Sequence, residues 1–147
     1  MAKMKYDKYF ITKLMKPGLE MPTKDATRFL WLDDEILKGA FYMECVWFWP
    51  KENWPPGGVE AHTHDFDEII AFFGTNPDDP YDLGAEVELW LEDEKHVMTK
   101  SFLAFVPAGM KHCPLKIHRV DRPIFHITTG PGGKYARLHD KKNNAKK

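Results

Sequence analysis

Three histidines and one glutamate are the residues whose types and spacing favour chemistry in this chain: His62, His64, Glu68 and His112. His62 and His64 are separated by one residue. Because side chains alternate across a β-strand, both imidazoles are predicted to project from one face. Glu68 would add a carboxylate oxygen to the two imidazole nitrogens, a donor set that suits divalent first-row metals. His112 lies far along the chain, so only a closed antiparallel fold would bring it to the other three.

The segments that must position these residues are predicted to be short β-strands. Residues 59–64 and 68–73 are predicted to form two strands with a tight connection between them. The segment 85–91 alternates with period two, which predicts that Glu86 and Glu88 face solvent. Strands are also predicted, with Pro and Gly turns between them, at residues 28–32, 40–49, 96–99, 102–106, 113–117 and 123–129. Many short strands at this spacing indicate an all-β sandwich or barrel.

Two segments carry a resemblance to a known family. Residues 62–74 read HTHDFDEIIAFFG and residues 107–112 read PAGMKH. These segments resemble the two motifs of the cupin superfamily, of which the first has the order His-x-His, a few residues, Glu, an apolar strand and Gly. The resemblance is close over residues 57–117 and loose in the flanking strands. It implies a cupin jelly-roll β-barrel, or double-stranded β-helix, with a metal ion in its mouth and with all four ligand positions occupied.

The chain departs from the family pattern at three places. Lys116 stands where the pattern often has Asn, Ser101 stands where it usually has Gly, and the loop after Gly74 is longer than usual. These departures leave the expected fold and metal site in place. They weaken the transfer of a particular activity, since cupins include dioxygenases, isomerases, lyases, decarboxylases, epimerases and non-enzymatic binders.

The implied cage predicts one divalent transition-metal ion per chain. Mixed imidazole and carboxylate ligands favour Fe²⁺ or Mn²⁺, with Ni²⁺ and Zn²⁺ as alternatives. The leading functional hypothesis is a small-molecule enzyme of the dioxygenase, lyase or isomerase type, in which a carbonyl- or carboxylate-bearing substrate chelates the metal. The alternative is a non-catalytic cupin that binds a metal or ligand. A titratable side chain within reach of an open metal position would favour the enzyme.

Three residues are candidates for a catalytic role. His126 lies in the predicted last core strand, where it is either a hydrogen-bonded structural residue or a cavity acid or base. Glu60 precedes His62 by two positions, so it is either a partner that hydrogen-bonds a ligand imidazole or a surface residue at a strand end. Tyr42 shares a strand face with Glu44, and the sequence does not say whether that face is the inner one.

Cys113 directly follows His112. Alternation along a strand predicts that its side chain points to the opposite face and is buried as a small apolar group. The other cysteine, Cys45, is distant in sequence, so the spacing favours neither a disulfide nor a thiolate zinc site. Two reduced cysteines suit the cytoplasm, and residues 1–18 scatter charges where a signal peptide needs an apolar block.

Charge and length limit the partners that we expect. The chain has 147 residues, 21 basic and 22 acidic, with a formal net charge of −1. It therefore lacks the broad positive surface that nucleic acids or anionic membranes attract, and no partner of either kind is expected.

The chain is predicted to have three parts. Residues 1–39 form an N-terminal arm that covers the barrel, residues 40–130 form the cupin barrel, and residues 131–147 form a C-terminal extension with a flexible, disordered basic tail. The apolar first strand and the arm predict that two barrels pair as a homodimer.

Overall fold

Residues 2–131 are described by the computed structural model. The predicted flexible basic tail lies outside them. This part of the chain is nearly all β, with eight strands and one short 3-10 helix, Asp7–Tyr9. The strands are β1 (Ala26–Leu32), β2 (Tyr42–Phe48), β3 (Glu68–Phe73), β4 (Asp82–Leu91), β5 (Glu94–Lys100), β6 (Phe102–Val106), β7 (His112–Val120) and β8 (Ile124–Gly130).

The strands form two antiparallel sheets. The first has the order β1-β2-β8-β3-β6 and the second has the order β5-β4-β7. Sheet neighbours are often distant in sequence, since β8 lies between β2 and β3. The strand that begins with Glu68 thus belongs to one sheet, and the strand that begins with His112 belongs to the other.

The core lies between the two sheets. In β8, for example, buried side chains alternate with less buried ones along the whole strand, so one face of the strand points into the core. The buried cluster comprises Ile70, Phe72, Leu83, Ala85, Val87, Leu89, Val106, Cys113, Val120 and Ile124. The predicted all-β class is confirmed.

The predicted strand over residues 59–64 is wrong. This segment makes only two isolated bridges to β7, Val59 to Leu115 and His62 to His112. The positions of β7 that would pair between these bridges are Cys113 and Pro114. Proline has no amide proton to donate and the backbone of Cys113 is left-handed, with φ of 72°, so a continuous ladder is interrupted there.

The predicted exposure of Glu88 is also wrong. Its side chain is 10% exposed, whereas that of Glu86 is 37% exposed. Trp90 Nε1 donates a hydrogen bond of 2.7 Å to Glu88, and His118 Nε2 lies 3.1 Å from it. The hydrogen bond from Trp90 is the main reason that the pKa of Glu88 is lowered. Aromatic and imidazole partners thus satisfy a carboxylate on the central strand of its sheet.

The N-terminal region contributes a strand to the larger sheet. β1 pairs with β2 and forms one edge of the five-stranded sheet. The division of the chain at residues 39 and 130 stays a prediction. Among residues 2–131, no helix has the length and apolar character to span a membrane.

Candidate metal centre

The four predicted ligands lie together in the interior of the fold. We call His62, His64, Glu68 and His112 the histidine cluster; their exposed fractions are between 1% and 6%. The ring centroid of His62 is 4.4 Å from that of His112 and 4.7 Å from that of His64. The Glu68 carboxylate lies beside two of the rings, with one oxygen 3.4 Å from His64 Nε2 and the other 3.3 Å from His112 Nε2. All four side chains therefore converge, as the motif spacing predicts.

Backbone hydrogen bonds hold the segments of the cluster in register. The amides of His62 and His112 each donate to the carbonyl of the other at 3.0 Å. The amide of Gly109 donates to the carbonyl of His64 at 2.8 Å. Gly109 has a φ of 84°, a conformation that glycine adopts without steric cost. The turn at residues 107–110 is thus tied to the first motif, and it delivers His112 to the cluster.

The connection between His64 and Glu68 braces the same turn. Asp67 accepts a hydrogen bond of 2.9 Å from the amide of Ala108. Phe66 stacks on the ring of His64, with centroids 4.8 Å apart and planes 17° apart. Together these contacts restrict the orientation of one imidazole and the position of the loop that precedes His112.

Two histidines of the cluster have a defined tautomer. The Nδ1 of His62 lies 2.6 Å from the carbonyl oxygen of Glu60, and the Nδ1 of His112 lies 3.0 Å from that of Met110. A carbonyl only accepts, so each Nδ1 carries the proton and donates. In the neutral imidazole, Nε2 is then the nitrogen that keeps a lone pair, which is the form in which histidine binds metals.

The interior of the cluster has more acceptors than donors. Among the described residues, Glu68 Oε2 and His112 Nε2 are buried and make no hydrogen bond. Buried polar atoms nearly always have a partner. In the neutral form of His112, the lone pair of Nε2 lies 3.3 Å from Glu68 Oε1, and a bound cation would remove the repulsion between the two. Ligand atoms of His64, Glu68 and His112 all lie within 4.8 Å of one another, so the arrangement fits a bound divalent metal.

Two members of the cluster, His62 and Glu68, line a cavity of about 280 Å³. Two of the three candidate catalytic residues, Tyr42 and His126, line it. Glu60 does not, because its side chain is exposed and only its carbonyl contacts His62. The full lining is Leu19, Arg28, Trp31, Tyr42, Glu44, Val59, His62, Glu68, Ile70, Cys113, Leu115, His126 and Thr128.

A second polar group lines the same cavity. We call Arg28, Tyr42, Glu44, Thr128 and His126 the Glu44 network. Thr128 Oγ1 donates to Glu44 at 3.0 Å, so the Tyr42 hydroxyl, 2.7 Å from Thr128 Oγ1, donates to Thr128. Arg28 Nε donates to the other oxygen of Glu44 at 2.9 Å. The carboxylate is thus held by a cation on one oxygen and a chain of hydroxyls on the other.

His126 is the titratable imidazole of the Glu44 network. Its Nδ1 donates to the carbonyl of Ala71 at 2.9 Å, and its Nε2 lies 3.9 Å from Glu44 Oε1. The ring is buried and stacks on Phe72 with centroids 4.2 Å apart. Burial lowers the pKa of His126. The imidazole is therefore held neutral, and its Nε2 lone pair is available to accept a proton.

Comparison with solved structures identifies the fold. The chain is similar to an oxalate oxidase in complex with the substrate analogue glycolate, with a TM-score of 0.55 and 15% identity, over 90% of this chain and 63% of that one. A second oxalate oxidase structure gives a TM-score of 0.51 at 15% identity, over 87% of this chain and 62% of that one. The chain has the cupin fold. The jelly-roll barrel that the two motifs imply is thereby confirmed.

The likeness concerns the cupin fold and not a reaction. The chain spans less than two thirds of the length of these oxalate oxidases. An RmlC-like cupin from Shewanella frigidimarina is less similar, with a TM-score of 0.44 and 16% identity over 77% of this chain and 82% of that one. No family model matches the chain, and no curated protein matches it.

The predicted orientation of Cys113 in this cupin barrel is wrong. Cys113 is buried, as expected, but it lines the cavity, and its sulfur lies within 4.8 Å of ligand atoms of both His62 and His112. The reason is the left-handed backbone at Cys113, which breaks the alternation that places neighbouring side chains on opposite faces.

The sequence pattern does not identify the other polar residues of the cupin cavity, because their positions depend on pairing between distant strands. Glu44 shares a face with Tyr42, and Thr128 shares a face with His126, so each pair could have been grouped by alternation. Nothing local indicates that Glu44 is paired with Thr128 across β2 and β8. Arg28 carries no local signal, because its place in the cavity follows from the pairing of β1 with β2.

Proposed function

We propose that this chain is a mononuclear divalent-metal cupin in which His62, His64, Glu68 and His112 hold the ion. The observation that carries the proposal is the buried cluster in which His112 Nε2 and Glu68 Oε2 make no hydrogen bond within the described residues, while His112 Nε2 lies 3.3 Å from Glu68 Oε1. Three neutral imidazoles and one carboxylate suit Fe²⁺ or Mn²⁺, with Ni²⁺ and Zn²⁺ as alternatives. In an octahedral arrangement, two positions remain for a substrate.

The charges of the cavity favour an anionic substrate. Arg28 and Glu44 form an ion pair and cancel each other. A divalent ion exceeds the charge of Glu68 by one, so the four-ligand site keeps a single positive charge. A small molecule with one carboxylate, chelating through that group and a neighbouring carbonyl or hydroxyl oxygen, matches both the charge and the open positions. The bound ion would act as a Lewis acid on the chelated oxygen.

The acid–base chemistry would belong to His126. Its Nδ1 is committed to the carbonyl of Ala71, so a substrate proton would go to Nε2. Glu44 lies 3.9 Å from that nitrogen and would stabilise the imidazolium that forms. This base, inside the cavity that the metal ligands border, supports a dioxygenase, lyase or isomerase type of enzyme.

The second candidate function is a non-catalytic metal- or ligand-binding cupin. The observation that favours it is the completeness of the Glu44 network, in which Arg28 and Thr128 already satisfy the carboxylate. A network of this kind would act as a rigid wall and exchange no proton.

The experiment compares wild type with His62→Ala/His112→Ala and His126→Gln. Metal content is measured after aerobic and anaerobic preparation, followed by binding and turnover of small 2-hydroxy and 2-oxo acids, glycolate included. The enzyme hypothesis predicts about one metal per chain, lost only in the double variant, and a kcat that falls in His126→Gln with little change in KM. Binding without turnover would favour the second candidate, and absence of metal in wild type would contradict both.

A homodimer in the cytoplasm stays a proposal. Large apolar side chains on and beside the edge strand β6 support self-association: Phe41, Leu103 and Phe105 are 63%, 70% and 62% exposed. Burying such a patch is favourable. Light scattering that gives the mass of one chain, 17.1 kDa, would contradict the dimer.

A further inference from the structure

Cys113 belongs to a second group of possible ligands that overlaps the histidine cluster. Its sulfur and ligand atoms of His62 and His112 all lie within 4.8 Å of one another. Cys113 is 4% exposed, and it lines the cavity beside Glu68. The two groups share His112, so an ion bound by His112 would lie near members of both groups.

An independent feature supports a cation at this position. His112 is 1% exposed, and its Nε2 has no hydrogen-bond partner among residues 2–131. Its Nδ1 is already used by the carbonyl of Met110. Nε2 is therefore the ring nitrogen of His112 that remains to bind a metal.

The backbone directs the sulfur toward this position. A regular strand would turn residue 113 away from His112, but the φ of 72° at Cys113 brings the thiol to the side of the imidazoles. Cys45, the other cysteine, provides a contrast. It is also buried, but it lies on β2, belongs to neither ligand group and lines no part of the cavity beside the cluster.

We propose that Cys113 is a fifth ligand of the ion in the histidine cluster, bound as a thiolate, and that it shifts the preference of the site from Mn²⁺ toward Co²⁺ and Zn²⁺. The inference rests on the proposed metal site. A thiolate is a softer ligand than the carboxylate or imidazoles, and soft ligands favour the later metals. Coordination deprotonates the thiol. With the thiolate bound, the site would carry no net charge, so the chelating substrate of the proposed function would bind when the sulfur leaves the ion as a protonated thiol.

The experiment uses Co²⁺, because a sulfur ligand gives this ion a charge-transfer absorption in the near ultraviolet that nitrogen and oxygen ligands do not give. The full chain is stripped with a chelator and titrated with Co²⁺, for wild type, Cys113→Ser and Cys45→Ser. Visible absorption and metal analysis report binding itself. We expect the near-ultraviolet band in wild type and in Cys45→Ser, and its loss in Cys113→Ser while Co²⁺ still binds.

Competition between metals gives a second readout. The ratio of the Mn²⁺ and Co²⁺ dissociation constants should fall at least about tenfold in Cys113→Ser, and it should stay at the wild-type value in Cys45→Ser. A tenfold change corresponds to about 1.4 kcal/mol of selectivity. Serine preserves the size of the side chain, and circular dichroism of each variant checks that the barrel has folded.

A measurement on wild type alone guards against a variant that does not fold. X-ray absorption of the Zn²⁺-loaded protein should show one sulfur neighbour at about 2.3 Å beside nitrogen and oxygen neighbours at about 2.0–2.2 Å. A zinc shell without sulfur, or Co²⁺ bound with no near-ultraviolet band, would overturn the role of Cys113 and leave the four-ligand site intact. Failure of wild type to bind Co²⁺, Zn²⁺ or Mn²⁺ would overturn the proposed metal site as well.

Discussion

Two polar groups line one cavity, and their hydrogen bonding differs. In the histidine cluster, His112 Nε2 lies 3.3 Å from Glu68 Oε1, and the buried atoms His112 Nε2 and Glu68 Oε2 lack a hydrogen bond within the described chain. In the Glu44 network, both carboxylate oxygens of Glu44 receive donors, from Arg28 and from Thr128. Both groups are largely shielded from water. Their difference therefore arises from the supply of donors and not from burial.

Because of this difference, we expect the residues of the two groups to contribute to different properties of the protein. A group that lacks positive charge needs a cation from outside the chain, so its residues should determine metal affinity. A group that is internally complete contributes to folding, so its residues should determine the free energy of unfolding. Substitutions in the two groups are therefore expected to change different measurements.

The largest expected effect is on metal binding in His112→Ala. His112 belongs to both groups of possible ligands, so its loss leaves neither group complete. We expect metal affinity to fall by more than the roughly 10- to 100-fold that is typical when only a partner of a ligand is changed. Isothermal titration of chelator-treated protein with Mn²⁺ or Zn²⁺ measures it.

The control for this prediction is His96→Ala. His96 is an exposed histidine on β5, outside the cavity. The His96→Ala variant should bind metal as wild type does. Wild-type affinity in His112→Ala would remove the distinction between the two polar groups, because the cluster would then not need its central member.

The sequence is most informative about the histidine cluster. Its four members sit in two short motifs whose internal spacing is local, so residues 62–74 and 107–112 suffice to group them. The strands carry period-two patterns and turn residues, which is why the all-β class and the bounds of β6 were predicted correctly. Both results depend on information within about ten residues.

The rest of the site depends on pairing between distant strands. The contact between Glu44 and Thr128 exists because β2 lies beside β8, and no local pattern specifies that neighbour. The error at Cys113 has a different cause, since an alternation rule assumes a regular strand and the left-handed backbone there is not visible in the residue type. The prediction of a strand at residues 59–64 fails for a related reason. The hydrogen-bond ladder between this segment and β7 is interrupted by Cys113 and Pro114 of β7.

An intermediate effect is expected for Glu44→Ala on stability. The substitution leaves the Arg28 guanidinium and the Thr128 hydroxyl without their acceptor, and the Arg28 and Glu44 side chains are only 22% and 14% exposed. Hydrogen bonds to charged groups contribute about 1.5–3 kcal/mol, and orphaned donors cost a similar amount. We expect the free energy of unfolding to fall by about 2 kcal/mol in a urea titration of the metal-free protein.

The matched control is Glu86→Ala. Glu86 is a more exposed glutamate whose nearest cation, Arg119, is 4.0 Å away. Exposed pairs of this kind contribute about 0–1 kcal/mol, so little change is expected. Equal losses in the two variants would mean that the Glu44 network contributes no more than a surface ion pair does.

The smallest expected effect is a change in the pH dependence of stability in His126→Gln. Burial lowers the pKa of His126 in the folded state, below the value of about 6.5 of an unfolded chain. Below pH 6.5 the unfolded chain therefore binds more protons at this residue. The free energy of unfolding accordingly falls as the pH falls from 6.5 toward the folded-state pKa, by at most about 1.4 kcal/mol per pH unit.

Glutamine keeps an N–H for the carbonyl of Ala71 but does not titrate. In chelator, the stability of His126→Gln should fall less steeply than that of wild type as the pH is lowered from 7 through 6.5, while His96→Gln should follow wild type. The histidine cluster is present in all three proteins, so its own protonation cancels in the comparison. Parallel curves for wild type and His126→Gln would mean that burial does not lower the pKa of His126 in the folded protein.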